Sequence, residues 1–406
     1  MRPAGLDDAR LAALAREHGT PLYVYDAPTI RARFAAVSGF DVVRYAQKAN
    51  PNLTLLALLR NLGASIDAVS AGEIERALAA GFPPERIVFT ADLFDRAVLE
   101  RLARLPIHVN VGSRDMLAQF AAVQPGAEVT LRVNPGFGHG HHHKVTTGGS
   151  DSKHGIWHDE LAAALDDARA VGLVVVGLHV HVGSGASFER LVGAGEFLVA
   201  SARQVGDTLR TLSAGGGLPV RYRESDEAFP IERYVRAWRE HARAIEAYTR
   251  RPVELELEPG RWLVAESGVL VTEVRATKRQ GEREFVMVDA GFHNLIRPTM
   301  YGSYHEIRAL GKRGGERPVL VAGPLCESSD VFTQGPGGTL EPIELPPLSP
   351  GDLLAIHDVG AYGASMASNY NSQPLAAEVL VDGGHSYVIR RRQRFDELFA
   401  AERDLR

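Results

Sequence analysis

Residues 42–50 read VVRYAQKAN, a β-branched and aromatic run that ends in a lysine and an asparagine. From here to residue 258 the chain alternates short β-branched runs with amphipathic helical stretches, a pattern typical of parallel strands joined by crossover helices. The candidate strands are 42–47, 65–69, 87–90, 107–111, 129–134, 174–182, 209–214 and 253–258. This series of eight runs predicts an α/β fold with a closed (β/α)8 barrel of the TIM type.

The chain changes character after residue 258, where strand-like runs separated by Gly- and Pro-rich turns replace the helical pattern. These runs are 269–276, 284–289, 318–322, 352–357 and 377–381. They predict a separate β-rich domain of sandwich or barrel-like type, which an early run at 21–25 can join and a C-terminal helix at 396–402 caps. The predicted bounds are 36–262 for the barrel, and 1–35 with 263–406 for the β-rich domain.

Composition and charge restrict the class of protein. A formal net charge of −5 gives no basic footprint for nucleic acid or an anionic membrane. The N-terminal stretch lacks the apolar core of a signal peptide, and no run approaches the length of a membrane span. The one cysteine, Cys326, excludes an intramolecular disulfide and a multi-cysteine zinc site. We therefore expect a cytoplasmic globular protein with no nucleic-acid or membrane partner.

Polar residues gather where the predicted strands end, which is the face on which barrel enzymes build their active sites. They are Lys48, Asp67, Ser70, His181, Ser184, the glycines 215–217, and Glu258-Pro-Gly-Arg261. We expect the lysine to be desolvated, because desolvation favours a neutral amine that can attack a carbonyl and form a Schiff base. A lysine that simply extends into solvent is the alternative.

Two further features suit an anionic cofactor with a basic ring. Gly215, Gly216 and Gly217 allow backbone N–H groups to approach a phosphate, and a helix that starts beyond them would add its positive end. A flexible loop is the alternative for this turn. Glu258 is suited to pair with a protonated ring nitrogen, while a salt bridge at the barrel rim is its alternative role.

The motifs taken together resemble the diaminopimelate decarboxylases, which belong to the alanine-racemase-like, fold-type III group of pyridoxal-phosphate enzymes. The likeness runs through nearly the whole chain. It implies a pyridoxal-phosphate-dependent carboxy-lyase that converts meso-diaminopimelate to L-lysine and CO2 in the last step of lysine biosynthesis. The motifs that carry it are FDVVRYAQKAN, GEIERALAAG, LRVNPGFGHGHHHKVTTGG, SKHGIW, GLHVHVGSG, SAGGGL, LELEPGR, VDAGFHNLIRPTMYGSYH, VAGPLCESSDVFT and GAYGASMASNYNS.

The resemblance implies roles for the residues that would hold the cofactor. Lys48 is similar to the lysine that forms the covalent imine, and His181 to the imidazole that lies flat against the ring. Glu258 is similar to the partner of the pyridine nitrogen. The remaining cofactor-contacting residues implied in this way are Asp67, Ser184, Gly215, Gly216, Gly217, Gly260, Arg261 and Tyr362.

The resemblance also implies the residues that handle the substrate. Arg261, Arg297 and Tyr301 resemble the group that binds the substrate carboxylate, and Tyr362 the residue that touches both phosphate and substrate. Glu327 would bind the distal ammonium. Cys326 resembles a thiol that is donated across the interface of a homodimer with shared active sites and protonates the carbanion. A buried structural thiol is the alternative for this cysteine.

Some positions depart from the family pattern or invite another interpretation. Ser329 stands where glycine is common, which would shift the turn that carries Cys326 if that position needs a positive φ. Gln373 replaces a frequent arginine. The histidines of the run at 139–143 (HGHHH) suggest a loop near the active site rather than a metal centre, because they lack acidic or cysteine partners.

Other functions remain open from the sequence alone. A decarboxylase that acts on another amino acid in a side pathway is the nearest alternative. A non-catalytic pyridoxal-phosphate-binding protein is another, but it gives no reason for the pair Cys326 and Glu327. A racemase is disfavoured because it needs acid–base groups on both faces of Cα.

Overall fold

The computed structural model describes residue 3, residues 5–138 and residues 148–403. The strands, in chain order, are β1 (Leu22–Asp26), β2 (Val42–Ala46), β3 (Ser65–Ala68), β4 (Ile87–Ala91), β5 (His108–Val111), β6 (Glu128–Asn134), β7 (Ile156–Trp157), β8 (Val174–Val180), β9 (Thr211–Ser213), β10 (Glu254–Leu257), β11 (Gly268–Gln280), β12 (Arg283–Val288), β13 (Ile307–Ala309), β14 (Arg317–Ala322), β15 (Ile343–Leu345), β16 (Leu353–His357), β17 (Ala377–Asp382) and β18 (His385–Arg390).

The helices are likewise numbered in chain order. They are α1 (Asp8–His18), α2 (Ala27–Ala35), α3 (Leu53–Asn61), α4 (Ala71–Ala79), α5 (Arg96–Leu102), α6 (Asp115–Val123), α7 (Leu161–Ala170), α8 (Phe188–Val205), α9 (Ile231–Thr249), α10 (Arg261–Val264) and α11 (Arg297–Tyr301). Within the described ranges, no helix is both long enough and apolar enough to cross a membrane.

The chain divides into two compact units. The first, called the barrel unit below, comprises Arg33–Val220 and Ala228–Leu263. The second, called the β unit, comprises Met1–Ala32, Arg221–Glu227 and Val264–Arg406. The short excursion Arg221–Glu227 thus interrupts the continuous interval that the sequence predicts for the barrel.

The barrel unit is a closed ring of parallel strands in the order β2, β3, β4, β5, β6, β8, β9 and β10. The ring closes where β10 pairs with β2, with Glu256 opposite Val42 and Leu257 opposite Val43. These strands coincide with the eight predicted runs, so the TIM-type barrel is confirmed. The short β7, which adds to β6, lies in none of those runs.

The helices around the ring form because each has one apolar face that the strands and neighbouring helices can cover. In α9 the buried residues recur at intervals of three or four and are Tyr234, Trp238, Ala242, Ile245 and Thr249. This helix packs against α8. The strands themselves are buried on both faces, as expected when helices cover the outside and side chains fill the inside.

The β unit is a mixed sheet in the order β15, β14, β12, β11, β1, β17 and β18, in which β16 also pairs with β11 and β13. The N-terminal strand β1 is central, antiparallel to β11 and parallel to β17. Its alternate residues Leu22 and Val24 pack with Leu11 and Leu14 of α1 and with Val271 and Val379. The α/β prediction with a separate β-rich unit is confirmed.

The helix predicted at 396–402 is wrong. The structure has two single 3-10 turns there, Phe395–Glu397 and Ala400–Glu402. Phe395 is 72% exposed, so the segment has no buried apolar face of the kind that stabilises a short helix. The sequence analysis also missed β18, whose first four residues are exposed and whose sequence shows no alternation of polar and apolar side chains.

Candidate active site

Lys48 lies in the 3-10 turn Gln47–Ala49, directly after β2. Gln47 and Ala49 are fully buried, and the Gln47 amide donates to the backbone oxygen of Glu73 at 3.0 Å. Lys48, between them, is exposed. The expectation of a lysine desolvated by the protein is therefore wrong. Lys48 nevertheless lies close enough to Asp67, His181 and Glu258 for its charge to act on their pKa values. Its amine is accessible to an aldehyde.

Two carboxyl groups, Asp67 and Glu258, are buried at the ends of β3 and β10. Burial and the neighbouring Glu258 raise the pKa of Asp67. Burial alone would also raise the pKa of Glu258, but its interaction and hydrogen bond with His179, together with His181 and Lys48, lower it instead. Environments that separate two carboxyl pKa values are typical of active sites. Glu258 is the one that stays ionised.

The Glu258 carboxylate is held by hydrogen bonds from two other barrel strands. His179 Nε2, on β8, lies 2.7 Å from Glu258 Oε2, and Asn110 Nδ2, on β5, lies 3.1 Å from Glu258 Oε1. Asn110 also donates to the Thr90 hydroxyl at 2.9 Å, and Thr90 hydrogen-bonds Asp67. A polar network thus crosses the barrel interior. Sequence analysis missed His179, Asn110 and Thr90, because nothing local marks which strand residues face one another.

His181 and the triple-glycine turn lie against each other. The backbone N–H of Gly216 donates to His181 Nδ1 at 3.2 Å, so Nδ1 accepts and the ring proton belongs on Nε2. Burial, and the charges of Arg132 and Lys48, lower the pKa of His181 well below its usual range. The imidazole is therefore neutral, as suits a ring that stacks on another ring.

Glycine is required in this turn by close backbone contacts. Gly217 has φ +102°, and a Cβ there would lie 2.1 Å from the Gly183 oxygen. A Cβ on Gly216 would lie 2.4 Å from the Glu258 oxygen. The backbone N–H of Gly185 donates to the Gly217 oxygen at 2.8 Å, which joins this turn to the Ser184 turn. The two predicted phosphate-binding turns are therefore adjacent.

Two expectations about the strand ends need correction. No helix begins directly after the glycine turn, since α9 starts only at Ile231, so no helix N-terminus adds to this site from the expected position. Ser70 is a helix cap, because its Oγ accepts the backbone N–H of Glu73 at 3.2 Å at the start of α4.

Arg261 opens α10 three residues after Glu258 and is buried. Its Nη2 donates to Ser184 Oγ at 3.0 Å. Gly260 precedes it where a Cβ would crowd Ala46 and Ala49, each about 3.2 Å away. Arg261 therefore lies beside the Ser184 turn, which favours its predicted contact with phosphate.

Arg297 belongs to a buried cluster within the β unit. Its guanidinium lies 2.9 Å from His305 Nε2, 3.3 Å from Ser303 Oγ and 4.9 Å from the centre of the Tyr222 ring. Tyr222 comes from the excursion Arg221–Glu227 and stacks edge-on against His305. Tyr301 follows one turn later on α11. Sequence analysis missed Tyr222 and His305.

Cys326 and Glu327 are exposed on a tight turn of the β unit. Asp330 fixes this turn by accepting the backbone N–H groups of Leu325 at 2.8 Å and Phe292 at 2.6 Å. The backbone N–H of Cys326 donates to Asn371 Oδ1 at 2.9 Å. The thiol is thus accessible and its backbone is held, which disfavours a buried structural cysteine.

One of the two departures from the family pattern has a structural answer. Ser329 is not among the residues with positive φ, so its position does not demand glycine. Gln373 follows two non-glycine residues with positive φ, Asn371 and Ser372. Tyr362 also has a positive φ, +59°, a strained conformation of the kind found at functional sites. The histidine run at 139–143 lies outside the described residues.

The barrel residues fit pyridoxal phosphate. They provide an accessible amine, an ionised carboxylate, a neutral imidazole and a glycine turn beside Ser184 and Arg261. The buried Asp67 Oδ1 accepts no hydrogen bond from the described protein groups, so it has capacity left for a donor on a ligand. Cofactor sites commonly show such unmet hydrogen-bonding capacity.

Comparisons with known proteins identify the family and its cofactor. The model of the family "Pyridoxal-dependent decarboxylase, pyridoxal binding domain" matches residues 29–265. Diaminopimelate decarboxylase of Escherichia coli K12 is 52% identical over 402 residues, covering 97% of this chain and 96% of that protein. A crystal structure of a diaminopimelate decarboxylase superposes with a TM-score of 0.96 at 51% identity, covering 99% and 98% of the two chains. The Helicobacter pylori diaminopimelate decarboxylase complexed with L-lysine gives 0.88 at 34% identity, covering 97% and 99%.

Proposed function

This chain belongs to the diaminopimelate decarboxylases, and we propose that its barrel residues hold pyridoxal phosphate while residues of the β unit select the substrate and supply a proton. The reaction is the pyridoxal-phosphate-dependent removal of CO2 from meso-diaminopimelate, which gives L-lysine in the last step of lysine biosynthesis. The observation that carries the assignment of roles is the accessible Lys48 at the end of a strand in the same barrel as the ionised Glu258.

Each barrel residue has one task in holding the cofactor. Lys48 provides the amine for covalent attachment, and Glu258 accepts a hydrogen bond from the protonated ring nitrogen. His181 presents the flat face of a neutral imidazole to the ring. Ser184 and Arg261, which are already hydrogen-bonded to each other, bind the phosphate with the N–H groups of the glycine turn.

Decarboxylation breaks the bond between Cα and the carboxylate and leaves an electron pair on Cα. When bound, pyridoxal phosphate takes up this electron pair in its conjugated ring system. The Glu258 carboxylate strengthens that capacity by keeping the ring nitrogen protonated. Cys326 then gives its thiol proton to Cα, which completes the amino acid after CO2 has left.

Substrate selection follows from charge. The distal end of diaminopimelate carries a second carboxylate and a second ammonium, so it needs partners of both signs. Arg297 and Tyr301 are proposed to bind the carboxylate, Glu327 the ammonium, and Tyr362 to touch both substrate and phosphate. A substrate without the distal carboxylate would leave a buried arginine without its anion, which is unfavourable.

We propose that the working form is a cytoplasmic homodimer with shared sites, in which Cys326 serves the partner subunit. Cys326 and Glu327 are exposed in the single chain, although a proton donor must be shielded from water during the reaction. Tyr387 and Val388 of the edge strand β18 are each 53% exposed, which gives the β unit an apolar surface that a second copy would cover.

A substrate panel tests this function. CO2 release is measured with meso-diaminopimelate, L-lysine, L-ornithine and L-arginine, each with the purified enzyme saturated with pyridoxal phosphate. We expect kcat/KM for diaminopimelate to exceed the others by at least about 10³-fold, because the other substrates leave buried polar partners unmet. A preference for any substrate without the second carboxylate would reject the assignment.

The Lys48→Ala variant tests the attachment site. We expect it to lose the visible absorbance of the covalently bound cofactor and the release of CO2 together. Borohydride reduction followed by peptide mass analysis should place the cofactor on Lys48 in the wild type and on no peptide in the variant. Labelling of another lysine in the wild type would refute the assignment.

A further inference from the structure

His179 makes a contact that its position in the sequence does not predict. It is fully buried on β8, and its Nε2 lies 2.7 Å from Glu258 Oε2, while the two residues stand 79 positions apart in the chain. In the register of the barrel strands, His179 pairs with Arg132 of β6 on one side and with Ser213 of β9 on the other. Glu258 continues from β10, so the contact reaches past β9 across the barrel interior.

The surroundings decide which nitrogen of His179 carries the proton. Its Nδ1 is buried and has no hydrogen-bond partner among the described residues. A proton on Nδ1 would therefore be a buried donor without an acceptor, which is costly, whereas a proton on Nε2 points at a carboxylate oxygen. The favoured form donates from Nε2 to Glu258.

The Glu258 carboxylate keeps capacity for a further donor. Oε2 accepts from His179 and Oε1 accepts from Asn110, and a carboxylate oxygen has two lone pairs. These two bonds come from different strands, so together they fix the plane of the carboxylate. Without the bond from His179, the plane would be free to rotate and the buried carboxylate would more readily take up a proton.

We propose that His179 is a positioning residue that keeps Glu258 ionised and oriented toward the ring nitrogen of the cofactor. It touches neither substrate nor cofactor in this role and acts through the hydrogen bond from Nε2 alone. The proposal rests on the proposed function, in which Glu258 is the partner of that nitrogen.

The test substitutes His179 with residues whose side-chain amide nitrogen lies near the position of one imidazole nitrogen or the other. In His179→Gln the amide nitrogen reaches approximately the place of Nε2, whereas in His179→Asn it reaches only the place of Nδ1. The control is His108→Gln, at another barrel-strand histidine, whose Nε2 lies 2.8 Å from Thr130 Oγ1. Holoenzymes are prepared with pyridoxal phosphate labelled with 15N in its ring. The readouts are the 15N chemical shift, the apparent Kd of the cofactor, kcat and Tm.

We expect His179→Asn to move the 15N signal toward that of an unprotonated ring nitrogen and to lower kcat roughly ten- to hundredfold, the usual effect of losing a hydrogen bond to a charged group. His179→Gln and His108→Gln should keep the wild-type signal. A wild-type 15N signal in folded His179→Asn would overturn the proposal, and so would an equal shift in the Gln and Asn variants. If His179→Asn does not fold, His179→Gln decides, since a shifted signal contradicts the proposal and an unshifted one supports it.

Glu258→Gln separates this proposal from the one on which it rests. If Glu258 is the nitrogen's partner, this variant shifts the 15N signal whatever His179 does. A shift in Glu258→Gln with none in His179→Asn rejects only the positioning role. An unshifted signal in Glu258→Gln rejects the role assigned to Glu258 itself, and with it the role of His179.

Discussion

Cys326 is exposed, yet its backbone is held firmly. Its N–H donates to Asn371 Oδ1. Asn371 has a positive φ of +52°, and the next residue, Ser372, has a φ of +55°. Non-glycine residues in this conformation persist only where the surroundings determine them, and they gather at functional sites. The turn therefore fixes the position of Cys326, the proposed proton donor, without burying it in its own chain.

Replacing the thiol should affect the chemical step and little else. We expect Cys326→Ala to lower kcat by about 10²-fold or more, as is usual when a general acid is removed, while KM stays close to the wild-type value because protonation follows binding. Tm should stay close to the wild-type value, since the thiol is not packed into the core of its own chain. Ser328→Ala, on the same exposed turn, is the control and should behave as wild type. Steady-state kinetics check this, and an unchanged kcat in Cys326→Ala removes the thiol from the mechanism.

The strand-end turns of the barrel combine backbone strain with close packing, and these two effects can be separated. Gly217 and Gly172 both have positive φ, +102° and +79°. A Cβ at Gly217 would collide with the Gly183 oxygen, whereas nothing lies within 4 Å of a Cβ at Gly172. Alanine at either position costs about 1–2 kcal/mol in backbone strain, but only one substitution must displace the Ser184 turn.

Cofactor binding should distinguish the two substitutions. We expect Gly217→Ala to raise the apparent Kd for pyridoxal phosphate at least about tenfold, because it separates two turns whose N–H groups are proposed to bind the phosphate. Gly172→Ala should lose stability without losing cofactor affinity. Titration of the apoenzymes, followed by absorbance, measures both. Equal affinity in the two variants would show that the glycine turn takes no part in phosphate binding.

The seam between β2 and β10 depends on a buried ion pair. Arg44 Nε donates to Glu256 Oε2 at 2.9 Å, a second guanidinium N–H reaches the other oxygen, and the two side chains are 11% and 5% exposed. The carboxylate raises the pKa of Arg44 even though burial opposes its charge. Register pairs only two residues of β10 with β2, so the ion pair supports a short contact between strands.

Removing one partner should be worse than removing both. We expect Arg44→Met to lower the free energy of unfolding by about 3–5 kcal/mol, because it leaves the Glu256 carboxylate buried without a counter-charge. The double variant Arg44→Met, Glu256→Leu should recover most of that loss. Urea denaturation of the wild type, Arg44→Met, Glu256→Leu and the double variant provides the comparison. Additive losses in the double variant would mean that the two side chains stabilise the seam independently.

At the scale of the whole molecule, local sequence patterns predicted the order of strands and helices. They did not predict the contacts between residues that are distant in the chain. The barrel was accessible from the sequence because each strand carries its own apolar run and its polar end. The contact between His179 and Glu258 spans 79 residues, and that between Cys326 and Asn371 spans 45. Such pairs have no local signature, because the register of the closed ring, or the folding of distant loops, brings them together. The exposure of Lys48 was missed for the same reason, since the turn that carries it is held by a hydrogen bond from the Gln47 amide to Glu73 of α4, 26 positions away.

The proposed sharing of active sites between two subunits makes a prediction that neither variant tested alone can check. Lys48→Ala and Cys326→Ala subunits should each be nearly inactive as homodimers, but a heterodimer of the two has one site with both residues intact. One of the two sites in the mixed dimer is intact, so the isolated mixed dimer should show about 50% of wild-type activity, and a randomly paired mixture, in which half the dimers are mixed, about 25%. Co-expression with two affinity tags isolates the mixed dimer. In the control, the partner of Lys48→Ala carries both substitutions and restores nothing. Failure of the mixed dimer to regain activity would mean that each chain supplies its own Lys48 and Cys326.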